Sequence, residues 1–96
     1  MGEMALLTDH QIDGFLSDHP AWEREGDSIV RTFEFDDFVV AMGFVTSVAL
    51  KAEKVFHHPD IDIRWNKVTL RLSTHSEGGL TDNDTDLAND IEALSP

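Results

Sequence analysis

The chain is expected to adopt an α+β fold, a four-stranded antiparallel sheet covered on one face by helices, in the order α-β-β-α-β-β-α. Three observations predict it. Two pairs of short, alternating apolar runs are each joined by a tight turn, which is how hairpins are written in sequence. One long segment between them repeats apolar residues at spacings of three and four, the period of a helix. Two further segments, one near each terminus, open on a threonine placed to cap a helix. Helices that follow hairpins must pack on the sheet to bury their apolar stripes, which gives a layered α+β architecture.

The elements follow in order. Thr8-x-x-Gln11 is a capping box, with Leu7 and Ile12 at the staple positions. A short first helix over about 9–17 is ended by His19-Pro20. Residues 22–25 and 28–35 read as two strands around Gly26-Asp27, with Ile29, Phe33 and Phe35 on one face. Arg31 interrupts that face, which suggests a strand near a sheet edge. Asp36 or Asp37 then caps the longest helix, which runs to about Val55.

That helix carries two apolar stripes. Phe38, Met42, Val45, Ala49, Ala52 and Phe56 form one; Ala41, Phe44, Val48 and Val55 form the other. Two stripes are more than a one-sided surface helix needs. One should cover the sheet. The second is expected to form a subunit interface, with Phe44 buried between copies in a homodimer or homotetramer.

The second hairpin spans about 60–74, with Asn66-Lys67 as its turn. If Trp65 faces Val68, then Ile63 faces Leu70, Ile61 faces Leu72 and Asp62 faces Arg71. His58 then faces His75. On this reading Ile61, Ile63, Trp65, Val68, Leu70 and Leu72 share the core face. The loop over 76–80 contains Gly78-Gly79. Thr81 caps a last helix through Leu94, with Leu87, Ala88, Ile91 and Leu94 inward.

Composition narrows the function. The sequence has 96 residues, enough for one domain, and a hydrophobic share of 41% that suits a folded protein. It has no cysteine, which removes disulfides, thiolate metal sites and a cysteine nucleophile. No apolar run is long enough for a membrane helix, and no basic-then-apolar leader opens the chain, so a cytoplasmic location is expected. A net charge of −12, from 19 acidic and 7 basic residues, argues against direct binding to nucleic acid.

The residues with chemistry are histidines. His57-His58-Pro59 follows the long helix, and Thr74-His75 ends the last strand. Imidazole titrates nearest neutrality, so histidines that converge can move protons both ways. A zinc site built from His57, His58, His75 and Asp84 is disfavoured. Adjacent histidines in a strand diverge, and the usual alternate or one-turn spacing is missing.

The chain resembles the pterin-4a-carbinolamine dehydratase family. The resemblance rests on Glu53, three residues, His57-His58-Pro59, Trp65 before Asn66-Lys67-Val68, Thr74-His75, and Asp84 after the Gly78-Gly79 loop. Gly43-Phe44, Val48-Ala49, Ala52-Glu53-Lys54 and Trp22 also match, and the similarity runs over about 7–94.

The resemblance implies a hydro-lyase, a 4a-hydroxytetrahydrobiopterin dehydratase of tetrahydrobiopterin recycling, that needs no metal and no other cofactor. It implies His57 and His75 as proton-transfer groups and His58 as the residue that orients the pterin. Glu53 and Asp84 would hold imidazoles in the right tautomer, Trp22 would pack on the flat ring, and Pro59 would shape the approach to the strand. It also implies a homo-oligomer. Two alternatives stay open: a non-catalytic protein-binding module of the transcriptional-coactivator kind, and a pterin lyase of molybdenum-cofactor metabolism. The net charge and the lack of a long apolar run, rather than the resemblance, give the expectation of no direct contact with nucleic acid or membrane.

Overall fold

The computed structural model describes residues 5–95 and has the expected element order. Helix α1 is Asp9–Asp18, β1 is Glu23–Glu25, β2 is Ser28–Glu34, α2 is Phe38–Val55, β3 is Asp60–Arg64, β4 is Lys67–Leu72 and α3 is Asp82–Leu94. The strands form one antiparallel sheet in the order β1-β2-β4-β3. Ile29, Phe33, Val68, Leu70 and Leu72 of the sheet join Ile12, Ala41, Phe44, Val48, Ala52, Leu87, Ala88 and Ile91 of the helices in one core. The helices therefore lie on a single face.

Local chemistry sets the helix starts. Thr8 and Gln11 form the capping box of α1. The Asp37 carboxylate accepts from the Val40 N–H at 2.9 Å and starts α2, so Asp37 rather than Asp36 is the cap. Thr81 and Asp84 form a second capping box at the start of α3.

Three expectations are corrected. The first is the hairpin register. Trp65 and Asn66 are the turn residues, one position earlier than expected, and β4 begins at Lys67. Ile63 thus faces Val68, Ile61 faces Leu70, Asp62 faces Thr69 and Asp60 faces Arg71. The shift is by two, so the inward and outward faces of β3 and β4 are kept. Asn66 accounts for the choice. It is buried, its Nδ2 donates to the Phe35 carbonyl at 2.7 Å, and its main-chain carbonyl accepts from the Phe35 N–H at 2.9 Å. Those bonds tie the turn to the end of β2. Trp65 leaves the core face and turns outward at φ 53°, 68% exposed.

The second is Arg31. Strand β2 sits between β1 and β4, not at an edge. Arg31 is tolerated on the helix face because Glu92 of α3 pairs with it and its guanidinium lies 4.1 Å above the Phe33 ring. Burial lowers the Arg31 pKa below its ordinary value.

The third is the long helix. Ala41, Phe44, Val48 and Ala52 face the sheet, and Phe44 is 5% exposed within a single chain. Its ring centroid lies 4.7 Å from that of Phe33 and 4.9 Å from that of Phe35. Phe44 is therefore core and not a subunit contact. The aromatic residues of β2 supply the cover that spacing along α2 alone does not reveal. The outward surface of α2 carries Phe38, Val39, Leu50 and Val55 instead.

Candidate functional site

The site begins where α2 ends. Phe56 takes the left-handed conformation at φ 55° and ψ 39°, and its N–H bonds back to the carbonyls of Ala52 and Glu53. The N–H of His57 also returns to the Ala52 carbonyl, at 3.2 Å. This pair of reversed bonds is a Schellman ending. It turns the chain sharply just before His57-His58-Pro59, and the two imidazoles then take different partners.

His57 points to α3. Its Nε2 lies 2.5 Å from Asp84 Oδ1, and both side chains are largely removed from water. Asp84 itself is fully buried. A buried carboxylate must be satisfied by donors, and this one is. Its second oxygen, Oδ2, accepts from the Thr74 hydroxyl at 2.7 Å and from the Thr81 N–H at 2.9 Å. Thr74 and Thr81 hydroxyls are 2.7 Å apart. Since Thr74 gives its one proton to the carboxylate, Thr81 donates to Thr74.

The network also assigns a tautomer to His57. A carboxylate accepts only, so the proton facing Asp84 sits on His57 Nε2. Nδ1 is the ring nitrogen with no hydrogen-bond partner among the described residues. His58 repeats the arrangement in the open. Its Nε2 lies 2.9 Å from Glu53 Oε1, one turn back on α2, with both groups well exposed. Such a pair orients the ring but adds little stability.

His75 follows Thr74 and begins a short 3₁₀ turn, His75–Glu77, outside the strand. The expected cross-strand pairing of His58 with His75 does not form, because β4 ends at Leu72 and the register with Asp60 opposite Arg71 leaves His75 outside the ladder. The Thr74 N–H bonds to the Gly79 carbonyl at 2.9 Å, closing the loop that presents His75 at the surface. Gly78 ends that turn at φ 76°, where a side chain would be strained. Asp84 therefore touches His57 through one oxygen and the residue before His75 through the other.

The remaining candidates divide. Pro59 is half-buried between His58 and the start of β3. Trp22 stands apart from the cluster. It is 2% exposed, packs edge-on to Phe33, and donates its indole N–H to Glu92 Oε1 at 2.8 Å. It presents little surface to a ligand in this arrangement. Thr74 and Thr81 are the residues to which sequence reasoning assigned no chemistry, although both appear in the motifs. The Thr81-x-x-Asp84 spacing was the available signal.

Two surface cavities lie elsewhere. One of about 270 Å³ is lined by Glu23, Glu25, Val30, Arg31 and Thr32 along β1 and β2. Another of about 330 Å³ lies against α2 and Leu94, with Leu50, Lys51 and Lys54. Neither lining includes a histidine. The cluster at the end of α2 is the better candidate, because it joins titratable rings to groups that fix their orientation.

A family model described as pterin 4 alpha carbinolamine dehydratase matches residues 5–94. A protein of Acidobacterium capsulatum, provisionally named a pterin-4-alpha-carbinolamine dehydratase, is 57% identical over 91 residues, covering 95% of this chain and 99% of the relative. A protein of Mycobacteroides abscessus with the same provisional name is 56% identical over 89 residues, covering 93% and 95%. A crystal structure described as a transcriptional coactivator/pterin dehydratase from Brucella melitensis superposes with a TM-score of 0.92 at 35% identity, covering 96% of this chain and 100% of that one.

Proposed function

The chain belongs to the pterin 4 alpha carbinolamine dehydratase family, and we propose that it removes water from a 4a-hydroxytetrahydropterin to give the quinonoid dihydropterin. The observation that carries this reading is the Asp84 carboxylate, held 2.5 Å from His57 on one oxygen and bonded to Thr74, next to His75, on the other.

The reaction needs one acid and one base. The C4a–O bond breaks, the departing hydroxyl takes a proton and leaves as water, and the adjacent ring nitrogen loses a proton. The nitrogen's electron pair becomes the new C=N bond. His57 and His75 are the proposed pair, one charged and one neutral at the start of the cycle. Asp84 keeps the His57 proton on Nε2, so Nδ1 meets the substrate. His58, steadied by Glu53, orients the pterin, and Pro59 sets the direction of the segment that carries it. The biological role proposed is the return of tetrahydrobiopterin after an aromatic hydroxylase has used it.

A homo-oligomer belongs to the same proposal. The outward face of α2, with Phe38, Val39 and Leu50, is the surface suited to it. A second reading, a protein-binding module, draws on that same face and on the description of the Brucella melitensis relative as both coactivator and dehydratase. Stopped-flow dehydration of synthetic carbinolamine separates the two. Turnover well above the uncatalysed rate is the expected result, and a rate equal to buffer would leave the binding module.

A further inference from the structure

Phe56 is held in a conformation that its side chain disfavours. Among the described residues only Phe56 and Trp65 are non-glycine residues with positive φ. Trp65 is accounted for by its turn. Phe56 ends α2 in the left-handed region, the place where glycine or asparagine usually stands. Its ring gains nothing from the fold, because it is 83% exposed. A bulky aromatic here is thus strained and unburied at once. Strain of this kind persists where it serves a function.

The position suggests that function. Phe56 immediately precedes His57, with a Cα spacing of about 3.8 Å. His57 turns inward to Asp84 and His58 outward to Glu53, so Phe56 is the residue just before the point where the two imidazoles part. The same left-handed turn lets the His57 N–H reach Ala52. Glycine or asparagine would provide that turn with less strain, so the turn alone does not call for phenylalanine. What phenylalanine adds is a flat, exposed π-surface on the residue that precedes His57-His58 in the chain.

We infer that Phe56 is a substrate-contacting residue whose ring stacks on the flat heterocycle held by the histidines. The inference rests on the pterin reading given above. Stacking of an aromatic side chain on a heterocyclic base is worth enough to change affinity by roughly ten-fold or more. It bears on binding and not on proton transfer, so it should appear in KM with little effect on kcat.

The test uses Phe56→Asn, Phe56→Gly and Phe56→Tyr in the full chain. Each is measured for carbinolamine turnover, for binding of pterin itself by quenching of the pterin fluorescence, for thermal midpoint and for mass by light scattering. Asn and Gly should raise KM and the pterin Kd by roughly ten-fold. They should leave kcat within about two-fold of wild type and raise the thermal midpoint by relieving the φ strain. Tyr should keep wild-type KM and Kd. Unchanged KM and Kd in Asn and Gly, with an active wild type, would overturn the stacking role and leave the dehydratase reading intact. A weaker affinity accompanied by a smaller mass would also overturn it, assigning the ring to a contact between copies. A wild type that neither dehydrates the carbinolamine nor binds pterin would sink the functional reading, and this inference with it.

Discussion

Thr74 donates its hydroxyl to Asp84 Oδ2 at 2.7 Å, on the carboxylate oxygen that His57 does not use. Both residues are buried, so the bond satisfies a group that water cannot reach. Thr74→Val keeps the shape and removes the donor. Loss of one partner of a buried charged acceptor should destabilise the chain by about 1–3 kcal/mol. Denaturant unfolding monitored by tryptophan fluorescence measures it. The dehydration rate should fall as well, because Asp84 is then free to turn away from His57. A variant as stable and active as wild type would show that the Thr81 N–H alone suffices to hold Asp84 Oδ2.

Asp84→Asn should lower turnover by roughly 10²-fold or more if the carboxylate sets the His57 tautomer for acid–base catalysis. The amide can offer an N–H where the carboxylate offers only lone pairs, so the imidazole proton can move to Nδ1. The rate constant in single-turnover stopped flow is the readout, and the pterin Kd should change little. An effect confined to Kd would make Asp84 a determinant of binding.

His57→Ala and His75→Ala should each reduce kcat by roughly 10²-fold or more, whereas His58→Ala should act mainly on apparent affinity. The difference between His57 and His58 has a structural basis. His57 is anchored to a buried carboxylate, while His58 is paired in the open with Glu53. Three variants that alter KM alone would leave a binding site without the proposed acid and base.

Dialysis against a strong chelator should leave the dehydration rate unchanged, because imidazoles can supply both proton transfers. Activity lost on dialysis and restored by zinc would refute the acid–base assignment.

Much of this was legible because it is local. Thr8 with Gln11 and Thr81 with Asp84 are capping boxes at fixed spacing, and the burial of Val68, Leu70 and Leu72 follows from the strand period alone, whereas Ile61, on the edge strand β3, is 38% exposed and does not join the core expected of it. Glu53 lies one helical turn before His57, yet its partner is His58, five residues on and past the reversal at Phe56, so helical spacing does not give that contact. The hairpin register was not legible either, because the side chain of Asn66 bonds to Phe35, far away in sequence. Arg31 was misplaced for the same reason. Its partner Glu92 belongs to the last helix, and no pattern around Arg31 points to it. The link from His57 to Thr74 through Asp84 joins three separate segments and emerges only when they fold.

The long helix yields the last prediction. Its inward stripe includes Phe44, wedged between Phe33 and Phe35, and its outward surface includes Val39 and Leu50. Val39 and Leu50 are separated by close to three helical turns and share a face. The two surfaces should respond differently to the same kind of change. Phe44→Ala removes a core ring and should destabilise the fold by about 3–5 kcal/mol, a large part of the stability of a small domain. Phe44→Asp should abolish folding, seen as loss of the cooperative thermal transition. Val39→Asp with Leu50→Asp leaves the core untouched and should keep the secondary structure. If copies associate through this face, the double variant should shift the mass in light scattering to a smaller species while circular dichroism stays that of the wild type. A folded but dissociated Phe44→Asp variant would return Phe44 to the interface and overturn its assignment to the core. A wild type that is monomeric at micromolar concentration would leave Phe38, Val39 and Leu50 as exposed apolar residues available to a different protein partner.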